Sequence, residues 1–135
     1  EPWTEFAKRV LREEESIDLK SLLCDESVVV GVGDIYSDEI LFHAGLRHDR
    51  QSDSLSIQEV RRLYRSVVEV IVEAVKHRGT SLEERQFVDI FGESGGFAEH
   101  LAVYGREGLF SPTSKKPVQK VKHKGRWTFF CETQV

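Results

Sequence analysis

Residues 28–45 read VVVGVGDIYSDEILFHAG, and the rest of the chain is organised around this stretch. Three valines lead into Gly31 and Gly33, and this close pair of glycines allows a tight turn with exposed amide groups. Asp34 follows at the position expected for a helix N-cap, and apolar residues recur at helical spacing until Gly45. Such a turn before a helix N-terminus favours anions, because unpaired N–H groups and the helix dipole point the same way. The stretch predicts an anion site and a helix over residues 34–44; the alternative is a turn with a structural role alone.

This stretch also carries a family signature. Its segment GVGDIYSDEILFHAG resembles the GIGNIYADEILFRAG sequence of the helix-two-turn-helix region in formamidopyrimidine-DNA glycosylases and their endonuclease VIII relatives. In this segment Asp34 replaces an asparagine and His43 replaces an arginine. The resemblance continues on both sides and covers essentially the whole chain. It implies a mostly α fold, in which a helix-two-turn-helix bundle of about four to five helices precedes a small C-terminal β-hairpin.

Composition indicates one folded domain without a membrane segment. The chain has 135 residues, of which 39% are hydrophobic and 31% charged, and this size is sufficient to bury a core. No apolar run approaches the roughly 18 residues that a membrane span needs, and no signal peptide opens the sequence. Cys24 and Cys131 lie far apart and form no C-x-x-C pair. We therefore expect a cytoplasmic location, nucleoid-associated in a bacterium, and no membrane partner; we also expect a monomer.

Charge is distributed unevenly along the chain. The net charge is −4, which by itself disfavours a nucleic-acid binder. Residues 106–135, however, contain seven Lys or Arg and two Glu, a net charge of +5, whereas residues 1–105 contain 12 basic and 21 acidic residues, a net charge of −9. A basic segment on an acidic body indicates a nucleic-acid contact. The alternative is a solvated hairpin face.

Two helices are predicted before the signature. The first rests on apolar residues at helical spacing: Trp3, Phe6, Val10 and Leu11. Thr4 is its expected N-cap. Residues 17–26 indicate a short helix that packs under the glycine turn and resembles the family's IKxLLLDQ segment. The lysine of that segment lies near the DNA and the damaged nucleotide, and Lys20 takes its place.

The longest helix is predicted after the signature. Ser56 and Glu59 form a capping box that opens it, and the helix runs to about His77. Its apolar stripe contains Ile57, Val60, Leu63, Tyr64, Val67, Ile71 and Val75. The glycine-rich residues 80–96 then resemble the mobile family loop that closes over the everted base; the alternative is a plain connector.

The resemblance also implies a set of DNA-binding residues. They are Lys20, Gly31, Gly33, Asp34, Tyr36, Arg106, Lys124 and Arg126. Arg126 is the best placed, because it lies in a GR-x-T-x-F-C sequence whose arginine reaches the DNA backbone in the family. Asp38 and Glu39 match a fixed acidic pair near the family's N-terminal catalytic domain, whereas taken alone they would be solvated acids. His43 and His48 have no ligand-like partner at close spacing and are predicted to be surface residues.

The finger expected at the C-terminus departs from the family. Residues 97–108 match the FQxxLxVYGREG lead into a zinc finger, but its four cysteine positions fall on Ser111, Ser114, Cys131 and Gln134. One thiolate cannot make a tetrahedral structural zinc site, since hydroxyl and amide groups are poor ligands at neutral pH. We therefore expect no metal and no cofactor.

A hairpin without zinc is predicted instead. Residues 118–122 and 127–131 show strand-like alternation on either side of a short turn. Packing across the strands is expected from Val121, Trp127, Phe129 and Phe130. The chain accordingly divides into a helix-two-turn-helix domain over residues 1–96, which includes the mobile loop, and a finger-like hairpin over residues 97–135.

The first functional hypothesis is the DNA-binding C-terminal part of a base-excision-repair DNA glycosylase and AP lyase that acts on oxidised bases. In the family an N-terminal proline amine attacks the sugar, whereas this sequence begins with Glu1, so no catalytic residue is predicted. The chain alone is expected to bind damaged double-stranded DNA through phosphates without cutting it. Its other expected partner is the missing N-terminal catalytic domain.

The alternative hypothesis is a degenerate, non-catalytic module of the same fold that binds DNA weakly and serves as an interaction domain. Glu26 and Asp34 replace two amide side chains with carboxylates at the expected DNA face, and the zinc ligands are gone. A third option is an RNA-binding helix-two-turn-helix of the ribosomal kind, against which the VYGREG segment and the finger argue.

Overall fold

In the described part of the chain, four α-helices are followed by a β-hairpin. The computed structural model describes residues 2–11, 16–25, 33–78, 101–113 and 115–135. Within these ranges the elements are α1 (Pro2–Val10), α2 (Leu19–Cys24), α3 (Asp34–Ala44), a 3-10 turn (Ser52–Ser54), α4 (Ile57–Arg78), β1 (Val118–His123) and β2 (Arg126–Cys131). The predicted fold class, a helical bundle followed by a β-hairpin, is therefore confirmed. Gly31, Glu26, Ser114 and the predicted loop at 80–96 lie outside the described residues.

Helix α3 occupies the centre of this arrangement. Nine of its eleven residues are buried, as expected of a helix that is covered on every side. It ends where predicted, because Gly45 adopts a left-handed conformation (φ 74°) and its N–H group bonds to the carbonyl oxygens of Leu41 and Phe42. Side chains from α2, α4 and β2 pack against it.

Two apolar clusters meet at α3. The larger cluster lies between the helices and includes Leu19, Leu23, Ile40, Leu41 and Leu63. The smaller one lies between α3 and the hairpin and consists of Phe42, Ala102, Val103, Val118, Phe129 and Cys131. The hairpin is therefore packed directly on the helix that carries the signature sequence.

Helix α4 begins at its predicted capping box. The Ser56 N–H group donates to Glu59 Oε1 over 2.9 Å, and the Glu59 N–H group donates to Ser56 Oγ over 3.1 Å. The buried stripe is Val60, Leu63, Val67, Val70 and Ala74. Ile57, predicted as part of it, is the first residue of the helix and 49% exposed, so the stripe starts one turn later. Tyr64 and Ile71 are partly buried against the core, as predicted, and the side chain of Val75 is outside the described set.

Helix α1 starts earlier than predicted. It begins at Pro2, so Thr4 lies inside the helix and the prediction that it is the N-cap is wrong. Proline suits a first helical position because its fixed φ is already helical. Phe6 and Val10 are buried as predicted, and Phe6 contacts the Tyr64 ring on α4, with centroids 5.4 Å apart.

The C-terminal hairpin is tighter than predicted. Its antiparallel strands pair Val118 with Cys131 and His123 with Arg126, so only Lys124 and Gly125 remain in the turn. Both have positive φ, 51° and 81°, as a two-residue turn of type I′ requires. Each strand is consequently one residue longer than predicted.

The aromatic residues of β2 differ in how far they are exposed. Phe129 and Phe130 are buried, as the predicted packing requires. Trp127 is 49% exposed, and its ring lies under the ammonium groups of Lys120 (4.5 Å) and Lys122 (5.2 Å). The tryptophan thus packs with lysine side chains on the outer surface. In the described part of the chain, no helix combines the length and apolar character needed to cross a membrane.

Candidate nucleic-acid interface

The first predicted DNA-binding residue, Lys20, is inside the protein. It is 0% exposed, and its ammonium group donates to Asp38 Oδ1 and to the Trp127 carbonyl oxygen, both over 2.9 Å. Its Nζ atom also lies 3.7 Å from Asp34 Oδ1. The contact of Lys20 with DNA therefore stays a prediction, and within the described chain its ammonium group is buried among protein acceptors. Lys20 connects α2, α3 and β2, because the hairpin covers its ammonium group and supplies one of its acceptors.

Asp38 is the main partner of this buried lysine. Its Oδ1 atom accepts from Lys20, and its Oδ2 atom accepts from the Phe129 N–H group over 2.9 Å. Burial raises the pKa of the Asp38 carboxyl to about 7, and the nearby Lys20 ammonium opposes this rise. The alternative of a solvated acid is wrong, because one carboxylate satisfies a helix lysine and a strand amide together.

Glu39 anchors the segment that precedes the hairpin. It is 1% exposed, and its carboxylate accepts from the backbone N–H groups of Ala102 (2.7 Å), Val103 (2.8 Å) and Tyr104 (2.9 Å). Three consecutive amides converging on one carboxylate form a dense set of charge-assisted hydrogen bonds. The alternative of a solvated acid is therefore wrong for Glu39 as well. Both acids of the Asp-Glu pair are used to hold the C-terminal segment on α3.

Asp34 does not cap the helix that it was predicted to cap. The N-cap position belongs to Gly33, which makes no side-chain cap bond, and Asp34 is the first residue of α3. Gly33 has φ −112°, an extended conformation open to any residue, so the predicted need for glycine does not hold there. The Asp34 carboxylate lies at a helix N-terminus, where the dipole favours it, and accepts from Arg126 Nη1 over 3.1 Å. Because Gly31 lies outside the described residues, the anion site at the glycine turn stays a prediction.

The hairpin turn brings a second basic residue to the helices. Lys124 pairs with Asp18, a carboxylate that is only 2% exposed. Asp18 also accepts from His123 Nε2 over 2.9 Å, and it caps α2 by accepting from the Ser21 N–H group over 3.0 Å. Burial would raise the pKa of Asp18, but the hydrogen bonds from Lys124 and Ser21 outweigh it and hold this pKa well below its usual range.

The remaining predicted residues are not gathered at this place. The Tyr36 ring is 8% exposed and belongs to the helical core, so the structure gives it a packing position. Arg106 is partly exposed, and its Nε atom is buried without a hydrogen-bond partner among the described residues. The structure therefore brings together Lys20, Asp34 and Arg126, with Lys124 beside them on the hairpin turn.

Sequence reasoning missed His48, which was predicted on the surface with His43. His43 is exposed, as predicted, whereas His48 is 4% exposed. Its ring packs edge-on against His123 (centroids 5.0 Å apart) and in a tilted orientation against Phe130 (4.9 Å). Burial lowers the pKa of His48 to about 4. No local sequence signal marks this residue, because the hairpin that covers it comes from the far end of the chain.

Acidification should destabilise the fold through His48. Its folded pKa of about 4 is below the ordinary value of 6.5, so its stabilising contribution is complete above pH 6.5 and is lost as pH falls towards 4. Between about pH 7 and about pH 4.5 we expect the parent to lose about 2 kcal/mol more unfolding free energy than His48→Phe. Urea denaturation at several pH values measures this difference. Asp38 has a raised pKa and stabilises the fold as pH falls, but it is present in both proteins and its contribution cancels in the comparison. The control, His43→Phe, should follow the parent; coincident curves for the parent and His48→Phe would contradict the prediction.

The former finger positions do not fit a zinc ion. Gln134 accepts from the Cys131 N–H group through Oε1 over 2.7 Å and donates through Nε2 to the Leu46 carbonyl oxygen over 2.8 Å. The Thr133 hydroxyl donates to Cys131 Sγ over 3.3 Å. Ser111 is buried, and Ser114 is not described. Both ends of the Gln134 amide are used within the chain, so this side chain is bound to the backbone of Cys131 and Leu46.

Known sequences share this organisation. Over residues 3–86 the chain matches the family described as formamidopyrimidine-DNA glycosylase H2TH domain. It is 40% identical over 129 residues to the formamidopyrimidine-DNA glycosylase of Desulforamulus reducens, with 96% of this chain and 46% of the relative covered. It is 45% identical over 120 residues to that of Thermus thermophilus, with 89% and 45% covered. The chain spans about half the length of the curated relatives that it matches.

Solved structures agree with the sequence matches. The MutM (Fpg) protein from Thermus thermophilus is 42% identical, with a TM-score of 0.83 over 97% of this chain and 48% of that chain. Lactococcus lactis Fpg, in a complex with DNA that contains an abasic site, is 27% identical, with a TM-score of 0.81 over 98% of this chain and 47% of that chain. The helices and the hairpin thus have the same arrangement in these proteins.

Proposed function

We propose that this chain, which belongs to the formamidopyrimidine-DNA glycosylase family, is the DNA-binding C-terminal part of a longer repair enzyme. That enzyme is a base-excision-repair DNA glycosylase and AP lyase acting on oxidised bases. The ligand of the chain is damaged double-stranded DNA, and its further partner is the N-terminal catalytic domain of the same protein. The proposal includes a cytoplasmic monomer and a division into a helix-two-turn-helix domain over residues 1–96 and a hairpin over residues 97–135.

One observation carries this proposal: the Arg126 guanidinium lies at the hairpin edge next to the N-terminus of α3. Its side chain is 49% exposed and contacts the first residue of that helix. A planar guanidinium beside a helix N-terminus suits a phosphate, since both supply hydrogen-bond donors and positive charge. Further support comes from the similar Lactococcus lactis protein, whose structure holds DNA with an abasic site.

The buried charges give this surface its rigidity. Lys20 and Asp38 connect α2 and α3 to β2, and Glu39 ties the segment before the hairpin to α3. The hairpin cations are thereby held at a fixed distance from the helix. Such phosphate contacts position a duplex without reading its sequence, and chemistry on an extruded base needs a pocket that another part of the protein supplies. In this proposal the chain binds DNA and does not cut it.

Loss of Arg126 tests the proposed surface. Arg126→Ala should weaken binding to an abasic-site duplex about five- to thirtyfold and lower the slope of log affinity against log salt by at most about one unit. Fluorescence anisotropy over a salt series measures both quantities. Lys8→Ala removes the same charge from an exposed position on α1 and is the matched control. Equal affinities for Arg126→Ala and Lys8→Ala would contradict the proposal.

The second candidate function is a degenerate interaction module with weak DNA binding. It is favoured by the pairing of the two cations at the hairpin turn, Lys124 and Arg126, with aspartates of the helical part. An electrophoretic titration with abasic-site duplex, undamaged duplex and a structured RNA distinguishes the functions. The first function predicts preferential binding of the abasic duplex. A folded chain that binds both duplexes weakly and without preference for the abasic one would support the interaction module, and preference for the RNA would support an RNA binder.

A further inference from the structure

Both cations at the hairpin turn face a carboxylate of the helical part. Arg126 Nη1 lies 3.1 Å from Asp34 Oδ1, and Lys124 is bonded to Asp18 Oδ1. Cys24, at the end of α2, is also next to Arg126, but burial raises the pKa of its thiol, so this neighbour is neutral. The charge that opposes Arg126 therefore comes from Asp34.

We infer that Asp34 is an internal competitor for phosphate: its carboxylate occupies Arg126 in the unbound chain, and a nucleic-acid phosphate must displace it. This inference rests on the proposed function, since it assumes that Arg126 contacts phosphate. It identifies Asp34 as a residue that sets the affinity of this surface for phosphate. The ligand that displaces Asp34 is a phosphodiester. It carries a negative charge, as the aspartate carboxylate does, and both can pair with Arg126.

The two aspartates differ in how easily they can be displaced. Asp18 is 2% exposed and is held by Ser21, His123 and Lys124 together, so it cannot leave its cation. The Asp34 side chain is 36% exposed, and among the described residues its ionic partners are Arg126 and, at 3.7 Å, Lys20. Water can therefore replace Arg126 around the Asp34 carboxylate. Asp34 is the displaceable competitor, whereas Asp18 fixes the turn.

Displacement has two measurable consequences. The released carboxylate stays close to the incoming phosphate, and like charges at short range repel. It also takes up a cation from solution, which offsets part of the counterion release that accompanies phosphate binding. The parent should therefore bind DNA more weakly, and with a shallower salt dependence, than a variant with no carboxylate at this position.

The test is a double-mutant cycle in duplex binding. Fluorescence anisotropy with an abasic-site duplex is measured for the parent, Asp34→Asn, Arg126→Ala and the double variant over a salt series. Asp34→Asn should bind about five- to thirtyfold more tightly, with a steeper salt slope, because the amide removes the repulsion and can donate to phosphate. Arg126→Ala should cost more affinity in the Asp34→Asn background than in the parent.

Controls separate the inference from the proposed function. Glu69→Gln removes one negative charge from an exposed position on α4 and should change affinity less than about twofold. An equal gain from Glu69→Gln, or an equal cost of Arg126→Ala in both backgrounds, would overturn the inference while leaving Arg126 as a DNA contact. No cost in either background would overturn the proposed function. If thermal unfolding shows that Asp34→Asn does not fold, Asp34→Ser takes its place with the same expectation.

Discussion

Glu39→Ala should lower the free energy of unfolding by about 3–5 kcal/mol, because it removes the shared acceptor of three buried backbone amides. The amides belong to Ala102, Val103 and Tyr104, and the carboxylate is 1% exposed. An unsatisfied buried donor costs about 1–3 kcal/mol, and water entering the vacated space recovers part of that cost. Urea denaturation followed by far-ultraviolet circular dichroism measures the loss.

Two further variants identify the cause. Glu39→Gln retains one carbonyl oxygen but turns an NH₂ group towards N–H donors. Its free energy of unfolding should therefore lie between those of the parent and Glu39→Ala. Glu69→Ala makes the same truncation at an exposed position of α4 and should stay within about 0.5 kcal/mol of the parent. A Glu39→Ala variant as stable as Glu69→Ala would show that these amides find other partners.

The elements that the sequence predicted correctly are those specified by neighbouring residues. The Ser56–Glu59 capping box needs residues three apart, and the Gly45 helix stop needs one residue without a side chain. The hairpin likewise follows from alternation around Lys124 and Gly125, of which the glycine adopts positive φ without strain. Such local signals can be read without knowing what the chain packs against.

The candidate site was predicted less well, because its geometry depends on distant residues. Lys20 donates to the carbonyl oxygen of Trp127, 107 positions away, and Asp38 accepts from the Phe129 amide, 91 positions away. A lysine or an aspartate in isolation gives no sign of such burial, since charged residues are usually exposed. The prediction that Asp34 is an N-cap failed for a related reason. Its sequence position suited a cap, but an arginine from the hairpin provides a charged partner. Arg126 was found because the family resemblance marked it.

Resemblance and geometry also complement each other at the finger. The sequence predicted that zinc could not be held, since one thiolate remains among the four positions, but it gave no indication of what connects them. In the structure the Gln134 amide spans from Cys131 to Leu46, so the last residues of the chain are attached to the loop after α3. This contact is invisible in the sequence, because a glutamine near a chain end is ordinarily solvated.

Lys20→Met should destabilise the fold by about 3–5 kcal/mol near neutral pH, because it leaves the buried Asp38 carboxylate without its cation. The lysine is 0% exposed and the aspartate 1% exposed, so water does not easily replace the lost partner. Methionine fills a similar volume, which separates the loss of charge from the loss of packing. Urea denaturation of the parent and the variant measures the effect.

The loss should depend on pH in a defined direction. Burial already raises the folded pKa of Asp38 to about 7, and removing Lys20 raises it further above the unfolded value. A group with a raised folded pKa contributes stability that is present below its unfolded pKa and is lost as pH rises through its folded pKa. Lys20→Met should therefore be more destabilising at about pH 8 than at about pH 5.5, since at lower pH the isolated carboxyl can be protonated.

Asp38→Asn completes a double-mutant cycle with Lys20→Met. The cycle distinguishes energetic coupling of the two residues from two independent losses of stability. The asparagine oxygen can still accept from the Phe129 amide while the side chain carries no charge, so it cannot be left as an unpaired buried anion. The double variant, Lys20→Met with Asp38→Asn, should lose less stability than the sum of the two single losses. It should also lack the extra loss between about pH 5.5 and about pH 8. Additive losses with no pH dependence would mean that Lys20 and Asp38 contribute separately, and the hairpin would then be held on α3 chiefly by Glu39 and the apolar cluster around Phe42 and Phe129.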